Sequence, residues 1–210
     1  MKFSIAATAL LSFFSMGVFS APTTIESDAL SNGIEARTAD EVTVFSVMTE
    51  LYADVQIHTG KINGTYTGLS KSAVSLSQNT VCIATIKTEL SAICDIMTSA
   101  TTKLHGCKGG ADIQIIVGLC AKIFLEIMCT INGVIAFFGA SALWMLSFSF
   151  NLCISVMANL LLVVEASMGG VIALVWGMVS GVINIMLPGV GSLFFGLGNT
   201  LHGQCGCVSQ

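Results

Sequence analysis

Charge is strongly segregated along this chain. Of the twenty charged residues, seventeen lie outside Ile113–Leu201, and the 89 residues of this stretch contain only Lys122, Glu126 and Glu165. A segment this apolar must remove its surface from water in its own core, in lipid, at an air–water boundary or in an assembly. The sequence before it, up to about residue 108, is polar and patterned. The protein is therefore an amphiphile along its own sequence.

Composition excludes two broad classes of protein. With 54% hydrophobic and 10% charged residues, the chain is too apolar to be disordered, because disorder requires low hydrophobicity and high charge. A formal net charge of -4 lacks the basic excess that binding to phosphate backbones requires. We expect no nucleic-acid partner.

The amino terminus predicts secretion. Lys2 precedes an apolar run over residues 3–19, which is typical of a cleaved signal peptide, here residues 1–20. A retained anchor helix is the alternative. Residues 21–39 have no periodic apolar face and are predicted to form a flexible polar arm. The sequon that begins at Asn63 predicts N-glycosylation of an exposed segment, in agreement with this compartment.

Residues 40–108 are predicted to form amphipathic helices. A capping-box pattern at Thr38–Glu41 predicts a helix start near residue 40. The segment has a seven-residue repeat, in which a second, companion position normally carries apolar residues as well. Here the companion position is polar in the middle of the segment, where Gly60, Gly64 and Gly68 lower helix stability. We therefore predict two helices, about 40–59 and 72–102, folded back as a hairpin or paired with another copy, with one unbroken rod as the alternative. Apolar residues recur at every seventh position: Met48, Val55, Ile62, Leu69, Leu76, Ile83, Leu90, Met97 and Leu104.

Residues 109–204 are predicted to form a hydrophobic bundle of about four helices, followed by a Cys-containing tail over 205–210. The predicted fold class is all-α, an amphipathic helical hairpin followed by this bundle. The passes of 19, 17, 17 and 17 residues are short for membrane helices, which need roughly 17 to 25 apolar residues, so they suit either a buried bundle or short membrane spans. Helix breakers are expected at Asn132-Gly133, Asn151, Gly169-Gly170 and Pro188-Gly189.

The charges of the apolar half have structural interpretations. Lys122 and Glu126 are four residues apart and are expected to neutralise each other on one helix face. Inside a membrane such a pair would indicate a functional site, but a position near the polar end of the bundle is favoured. Glu165 precedes Gly169-Gly170 and is expected to mark a helix end. We predict no transport pathway.

The eight cysteines are disulfide candidates, because the secretory route is oxidising. Cys120 and Cys129 are nine residues apart in sequence. On one helix this separation corresponds to about 13.5 Å, which is too far for a disulfide. The same argument separates Cys82 from Cys94, so any bridge must join different elements or chains. Buried free thiols are the alternative for Cys120, Cys129 and Cys153. The full set is Cys82, Cys94, Cys107, Cys120, Cys129, Cys153, Cys205 and Cys207.

One bridge is predicted across the two loops that bracket the apolar half. Four antiparallel passes would return the chain to its starting side, which brings Cys107 close to Cys205 or Cys207. Zinc bound by these thiols with His105 and His202 is the alternative, but the spacing matches no usual zinc pattern. We therefore predict a disulfide and no metal site.

Catalytic motifs are absent from the sequence. It contains no HExxH, GxSxG, Walker or dinucleotide-binding pattern, and its acidic residues form no paired-carboxylate pattern. We predict that the protein is not an enzyme and uses no cofactor.

Two stretches carry a resemblance to known proteins, VFSVMTELYADVQIHTGKINGTYTGL over 44–69 and FLEIMCTINGVIAFF over 124–138. Together with the polar first half and the hydrophobic second half, they make the architecture similar to that of a group of small fungal secreted proteins. The resemblance implies a place in the hyphal wall and roles in aerial growth or attachment that complement hydrophobins, without a catalytic residue. True hydrophobins also have eight cysteines, but their two adjacent cysteine pairs are missing from this chain.

These observations lead to three hypotheses. The first is a secreted, non-catalytic amphiphile of the cell surface or wall, whose partners are hydrophobic interfaces, wall polysaccharide or lipid and which can self-assemble. The second is an integral membrane protein with about four short spans and an extracellular hairpin. The third, a membrane-inserting secreted effector, shares the same pattern and has no feature of its own.

Overall fold

The regular structure of the residues described below is helical. The computed structural model describes residues 43–70, 76–107 and 112–205. The predicted all-α class is confirmed for these ranges, whereas the predicted signal peptide, polar arm and last five residues of the tail lie outside them. The described helices are α1 (Val44–Tyr66), α2 (Leu76–Leu104), α3 (Ile113–Phe138), α4 (Ala140–Met168), α5 (Val171–Ile183) and α6 (Pro188–Cys205).

The first helix begins and ends later than the sequence predicts. Thr43 is its N-cap, and Thr43 and Ser46 form a capping box in which each side chain accepts a hydrogen bond from the other's backbone N–H. The predicted start near residue 40 is therefore wrong. The predicted end at residue 59 is also wrong, because α1 continues through two glycines to Tyr66. Burial of Ile62 in the core offsets the cost of those glycines, which is about 1 kcal/mol each.

The sevenfold apolar pattern correctly identifies the buried face of α1 and α2. Seven of its nine positions are buried, Leu69 is exposed, and the side chain of Leu76 is not described. Contacts between the two helices pair the start of α1 with the end of α2, as Lys103 Nζ lies 3.2 Å from a Glu50 carboxylate oxygen. They pair the end of α1 with the start of α2, where Cys82 Sγ lies 3.5 Å from the carbonyl oxygen of Thr65. The two helices are therefore antiparallel.

The apolar half is divided at different residues from those predicted. Asn132-Gly133 and Asn151 lie inside the continuous helices α3 and α4. The break between these helices is Gly139, whose φ of 78° is in the left-handed region that favours glycine. The predicted breaks at Gly169-Gly170 and at Pro188 are confirmed as the ends of α4 and the start of α6.

Both halves of the chain share one hydrophobic core. Helix α1 packs against α2 and α3, and α2 also packs against α4. Helices α5 and α6 pack on α3 and α4 and on each other. The polar helices thus cover part of the surface of α3 and α4. The buried residues form one contiguous cluster that runs from Val44 to Leu201.

Two glycines on α3 and α6 allow close contacts between helices. A Cβ atom on Gly133 would lie 2.6 Å from the hydroxyl oxygen of Tyr66, and one on Gly198 would overlap the ring of Trp176. By contrast, small residues four apart, such as Gly177 and Gly181, are exposed and have no neighbour of this kind within 4 Å. Small residues four apart often mark close helix contacts, but this spacing does not identify the close contacts found here.

Candidate functional site

The most unusual surface of the described structure is on α4. Four large apolar side chains stand exposed there, and Trp144 and Phe148 are 81% and 79% accessible to water. Leu152 follows one turn later, so the three lie on one side of the helix, and Met145 flanks them. We call these four residues, Trp144, Met145, Phe148 and Leu152, the apolar face of α4.

The apolar face is exposed because the core takes the opposite side of the same helix. Ala142, Leu146 and Phe150 are completely buried, each two residues away from a residue of the apolar face. Two residues correspond to about 200° around a helix of 3.6 residues per turn. Helix α4 is therefore apolar on both sides, whereas a helix at the surface of a soluble domain normally presents polar residues to water.

Polar side chains on this part of α4 carry no charge, and two of its serines bond to nearby backbone carbonyl oxygens. Ser147 Oγ donates to the carbonyl oxygen of Trp144 at 2.9 Å, and Ser141 Oγ donates to that of Phe138 at 3.3 Å. Such internal bonds reduce the cost of moving a hydroxyl out of water. Residues 140–164 contain no charged side chain. The first half of α4 can therefore enter an apolar phase without removing a charge from water.

Further apolar side chains are exposed on the last two helices. Leu174 and Met178, four residues apart on α5, are exposed, as are Ile185 after α5 and Phe195 on α6. These residues extend the exposed apolar area beyond α4, in a part of the chain that contains no charged residue after Glu165.

The described ion pairs lie elsewhere, between α1 and α2. His58 Nδ1 lies 2.6 Å from a carboxylate oxygen of Glu89, and Lys61 Nζ lies 3.6 Å from the same oxygen. Lys103 pairs with Glu50 near the other end of the helices. His58 occupies the polar middle of the companion heptad position, so this interruption of the apolar pattern is filled by a hydrogen bond between the helices.

The predicted pairing of Lys122 with Glu126 is not among the ion pairs of the described residues. Glu126 Oε1 instead accepts a 2.8 Å hydrogen bond from the fully buried Thr59 of α1. Lys122 Nζ lies 5.9 Å from the centre of the Tyr52 ring, also on α1, a cation–π distance. Both charges of α3 therefore interact with the polar half of the chain.

Two polar residues of the apolar half hold turns in place. The carboxylate of Glu165 accepts hydrogen bonds from the backbone N–H groups of Gly170 and Ile172, at 2.6 and 2.8 Å. This carboxylate satisfies two unpaired donors at the start of α5, where the helix dipole also favours a negative charge. Asn132 Oδ1 accepts from the backbone N–H of Leu187 at 3.0 Å. The sequence located Glu165 at a helix end, but it did not indicate this role for Asn132.

Two tyrosines of α1 are held in their neutral form. Burial raises the pKa of Tyr66 above its ordinary value. Burial and, to a smaller extent, the nearby charge of Glu126 raise the pKa of Tyr52, against the lowering effect of its hydrogen bond with Gln56. Both phenols resist ionisation because a phenolate would have less water around it than in the unfolded chain.

The glycosylation candidate lies in a helix. Asn63 is in the last turn of α1, half-buried, and its amide oxygen accepts a 2.7 Å hydrogen bond from the Tyr66 hydroxyl. The ring of Tyr66 stacks on Phe137 of α3, so this end of α1 is packed. The predicted exposed segment is thus partly covered, and glycosylation at Asn63 stays a prediction.

The cysteines occupy different environments. Cys94, Cys120 and Cys153 are buried, and Cys82 and Cys107 are half-buried. Cys129 is exposed, so the alternative of a buried thiol is wrong for this residue. Cys120 and Cys129 share α3, and Cys82 and Cys94 share α2, as the argument against bridges within each pair assumes. The structure brings together Cys94 and Cys153, a pairing that sequence spacing does not indicate.

The predicted bridge between the bracketing loops falls partly outside the described residues. Cys107 follows α2, and its Sγ lies 3.3 Å from the carbonyl oxygen of Lys103. The side chains of His202 and Cys205 and the whole of Cys207 are outside the described part of the chain, so this bridge also stays a prediction.

Comparisons of the chain with protein-family models, with curated proteins and with solved structures found no match. Two of the described helices, α3 with 26 residues and α4 with 29, are long and apolar enough to cross a membrane. The buried core helices of soluble proteins meet the same criterion, and about half of the most apolar 18-residue stretch of each helix is buried here. The exposed apolar face of α4 is therefore the feature from which a function is best inferred.

Proposed function

We propose that this protein is a secreted, non-catalytic amphiphile of the cell surface that adsorbs to apolar boundaries through the apolar face of α4. In this proposal residues 40–108 act as an amphipathic hairpin facing water or wall polysaccharide. Residues 109–204 act as a hydrophobic bundle facing an air, lipid or wall boundary, or another copy of the chain. Surface coating, aerial growth and attachment are the roles that such a molecule would serve.

The exposure of Trp144 and Phe148 carries this proposal. Monomeric soluble proteins rarely leave large apolar side chains together at the surface without using them for binding. Here the exposed rings lie on α4, whereas the ion pairs lie between α1 and α2. Adsorption through α4 would leave those ion pairs in water.

The energy of adsorption follows from the exposed area. An aromatic side chain buries about 150–250 Å² when it is fully covered. The two rings are about four-fifths exposed, so together they present about 300 Å² of removable surface. At about 25 cal/mol per Å², complete removal from water would contribute about 8 kcal/mol. No ionised group of the same helix segment has to be desolvated, so the gain is not offset by a cost of burying charge.

The second candidate function is that of an integral membrane protein. The observation in its favour is the length of α3 and α4. The contacts of Lys122 and Glu126 with α1 weigh against it, because a lipid-exposed α3 would have to keep a charged, polar helix beside it within the bilayer. Helix α5, with 13 residues, is also shorter than the roughly 17 residues that a span requires.

Fractionation of the producing cells distinguishes the two candidates. Tagged full-length protein is followed through culture medium, detergent-extracted wall and carbonate-washed membranes. Adsorption at a surface predicts recovery from the medium or wall, and lowered surface tension by the purified protein. Retention in carbonate-washed membranes would contradict the proposal and favour the integral membrane protein. A secreted protein that left surface tension unchanged would contradict both.

A further inference from the structure

Two buried thiols from different helices meet in the core. Cys94 Sγ on α2 and Cys153 Sγ on α4 are 3.1 Å apart. Both residues are buried, and Cys153 Sγ also lies 3.6 Å from the carbonyl oxygen of Leu90. The two cysteines are 59 residues apart in sequence, so their proximity results from the packing of α2 on α4.

This placement meets the main requirement for a cross-link. A disulfide has its sulfur atoms about 2.05 Å apart, so the two sulfurs need to approach by about 1 Å. They come from helices that already pack against each other. We propose that Cys94 and Cys153 form a disulfide that joins α2 to α4.

The chemistry requires an external oxidant, which we take to be a small disulfide such as oxidised glutathione. The Cys94 thiolate attacks one sulfur of that disulfide, forms a mixed disulfide and releases the first glutathione thiolate. Cys153 loses its proton and attacks the Cys94 sulfur, which forms the protein disulfide and releases the second thiolate. The two protein thiols lose two electrons and two protons, which convert one oxidised glutathione into two reduced molecules.

Burial determines when this exchange can take place. The thiolate is the attacking species, and the folded bundle keeps both sulfurs away from water. Because both sulfurs are buried in the folded bundle, exchange takes place before α4 has packed fully onto α2, or during transient opening of this contact. The disulfide then holds together the polar and apolar halves of the chain, whichever boundary the molecule occupies.

The cross-link should have a large effect on folding. Closing a loop of about 60 residues restricts the unfolded chain enough to raise the folding equilibrium constant on the order of a thousandfold. For a chain of this size, that corresponds to an increase of about 10 °C in the unfolding midpoint. This increase should disappear when the protein is reduced.

The direct test is a peptide map of the purified full-length protein folded in a glutathione redox buffer. Free thiols are first blocked, and the protein is then digested without reduction. We expect one peptide pair joining the segments that contain Cys94 and Cys153, lighter by two hydrogen atoms than the separate peptides. Recovery of both cysteines as blocked free thiols would overturn the proposal, as would their linkage to other cysteines.

Variants keep the test independent of other bridges. Reductant should lower the unfolding midpoint of the original protein by about 10 °C. Cys94→Ala cannot form the bond, so reductant should change its midpoint much less. Cys120→Ala is the matched control, because Cys120 is also a buried cysteine, and it should keep the full response. An equal response to reductant in Cys94→Ala and in the unmodified protein would overturn the proposal.

Discussion

Removing the two exposed rings of α4 should weaken adsorption without unfolding the protein. The change is the double substitution Trp144→Ser with Phe148→Ser. Both side chains lie almost entirely in water in the free protein, so their loss creates no cavity in the core. We expect the free energy of unfolding of the variant to stay within about 0.5 kcal/mol of the original value per substitution.

The size of the adsorption effect follows from the exposed area. If half of the roughly 300 Å² of the two rings leaves water at the boundary, the contribution is about 4 kcal/mol. The double variant should therefore adsorb with a binding constant lower by a factor on the order of a thousand. Surface pressure recorded against protein concentration in a Langmuir trough measures this shift directly.

A matched variant separates the apolar face of α4 from exposed apolar surface in general. Ile57→Ser with Val81→Ser removes two exposed apolar side chains from α1 and α2, the helices that carry the ion pairs. This variant should adsorb within a few-fold of the original protein. The reasoning would be refuted if the Trp144 and Phe148 double variant adsorbed normally, or if the Ile57 and Val81 variant lost as much.

Three further predictions concern stability. Gly133→Ala should destabilise the protein by about 1–3 kcal/mol, because its Cβ would lie 2.6 Å from the Tyr66 hydroxyl. Gly118→Ala on the same helix, with no neighbour of this kind within 4 Å, should stabilise it by about 0.5–1 kcal/mol; thermal unfolding decides, and equal effects would contradict the packing. Glu165→Gln keeps an acceptor but removes the charge at the start of α5, so the free energy of unfolding from urea titration should fall by about 1 kcal/mol, and no loss would argue against the cap. Since the pKa values of Tyr52 and Tyr66 are raised in the folded state, their contribution to stability should be complete below about pH 10 and be lost as pH rises through the folded pKa values; replacing both by Phe should flatten this alkaline decline in urea titrations, and an unchanged slope would contradict it.

The buried face of α1 and α2 could be predicted because it depends on local repetition. An apolar residue at every seventh position leaves a helix with one side to bury, whichever partner covers it. The exact start after Thr43 could not be predicted in this way, because this N-cap pairs with Ser46 and not with the Glu or Gln of the usual capping-box pattern. The exposure of Leu69 shows that the pattern continues beyond the packed part of α1.

The division of the apolar half could not be predicted because breakers act differently in a packed core. Gly133 stays helical and makes room for Tyr66, while Asn132 caps a distant backbone group. Gly139, which ends α3, is a single glycine, and its neighbours in sequence give no stronger indication of a helix break than those of Asn132 and Gly133. Tertiary contacts decide which of these residues interrupts a helix.

The candidate site was hidden for a similar reason. Phe148 and Phe150 are nearly adjacent and chemically identical, yet one is 79% exposed and the other is completely buried. In a segment that is apolar on all sides, periodicity cannot distinguish the face that enters the core from the face that remains outside. The proximity of Cys94 and Cys153 likewise depends on helices brought together from distant parts of the chain.

The fluorescence of Trp144 at an apolar boundary tests most directly whether the protein adsorbs through the apolar face of α4. The Trp176→Phe variant leaves Trp144 as the single tryptophan of the chain, so its fluorescence can be followed as hexadecane droplets are added. Adsorption through α4 predicts a shift of emission to shorter wavelength and protection from acrylamide quenching. Emission that stayed unshifted and fully quenchable while the protein left the aqueous phase would show that another surface is responsible.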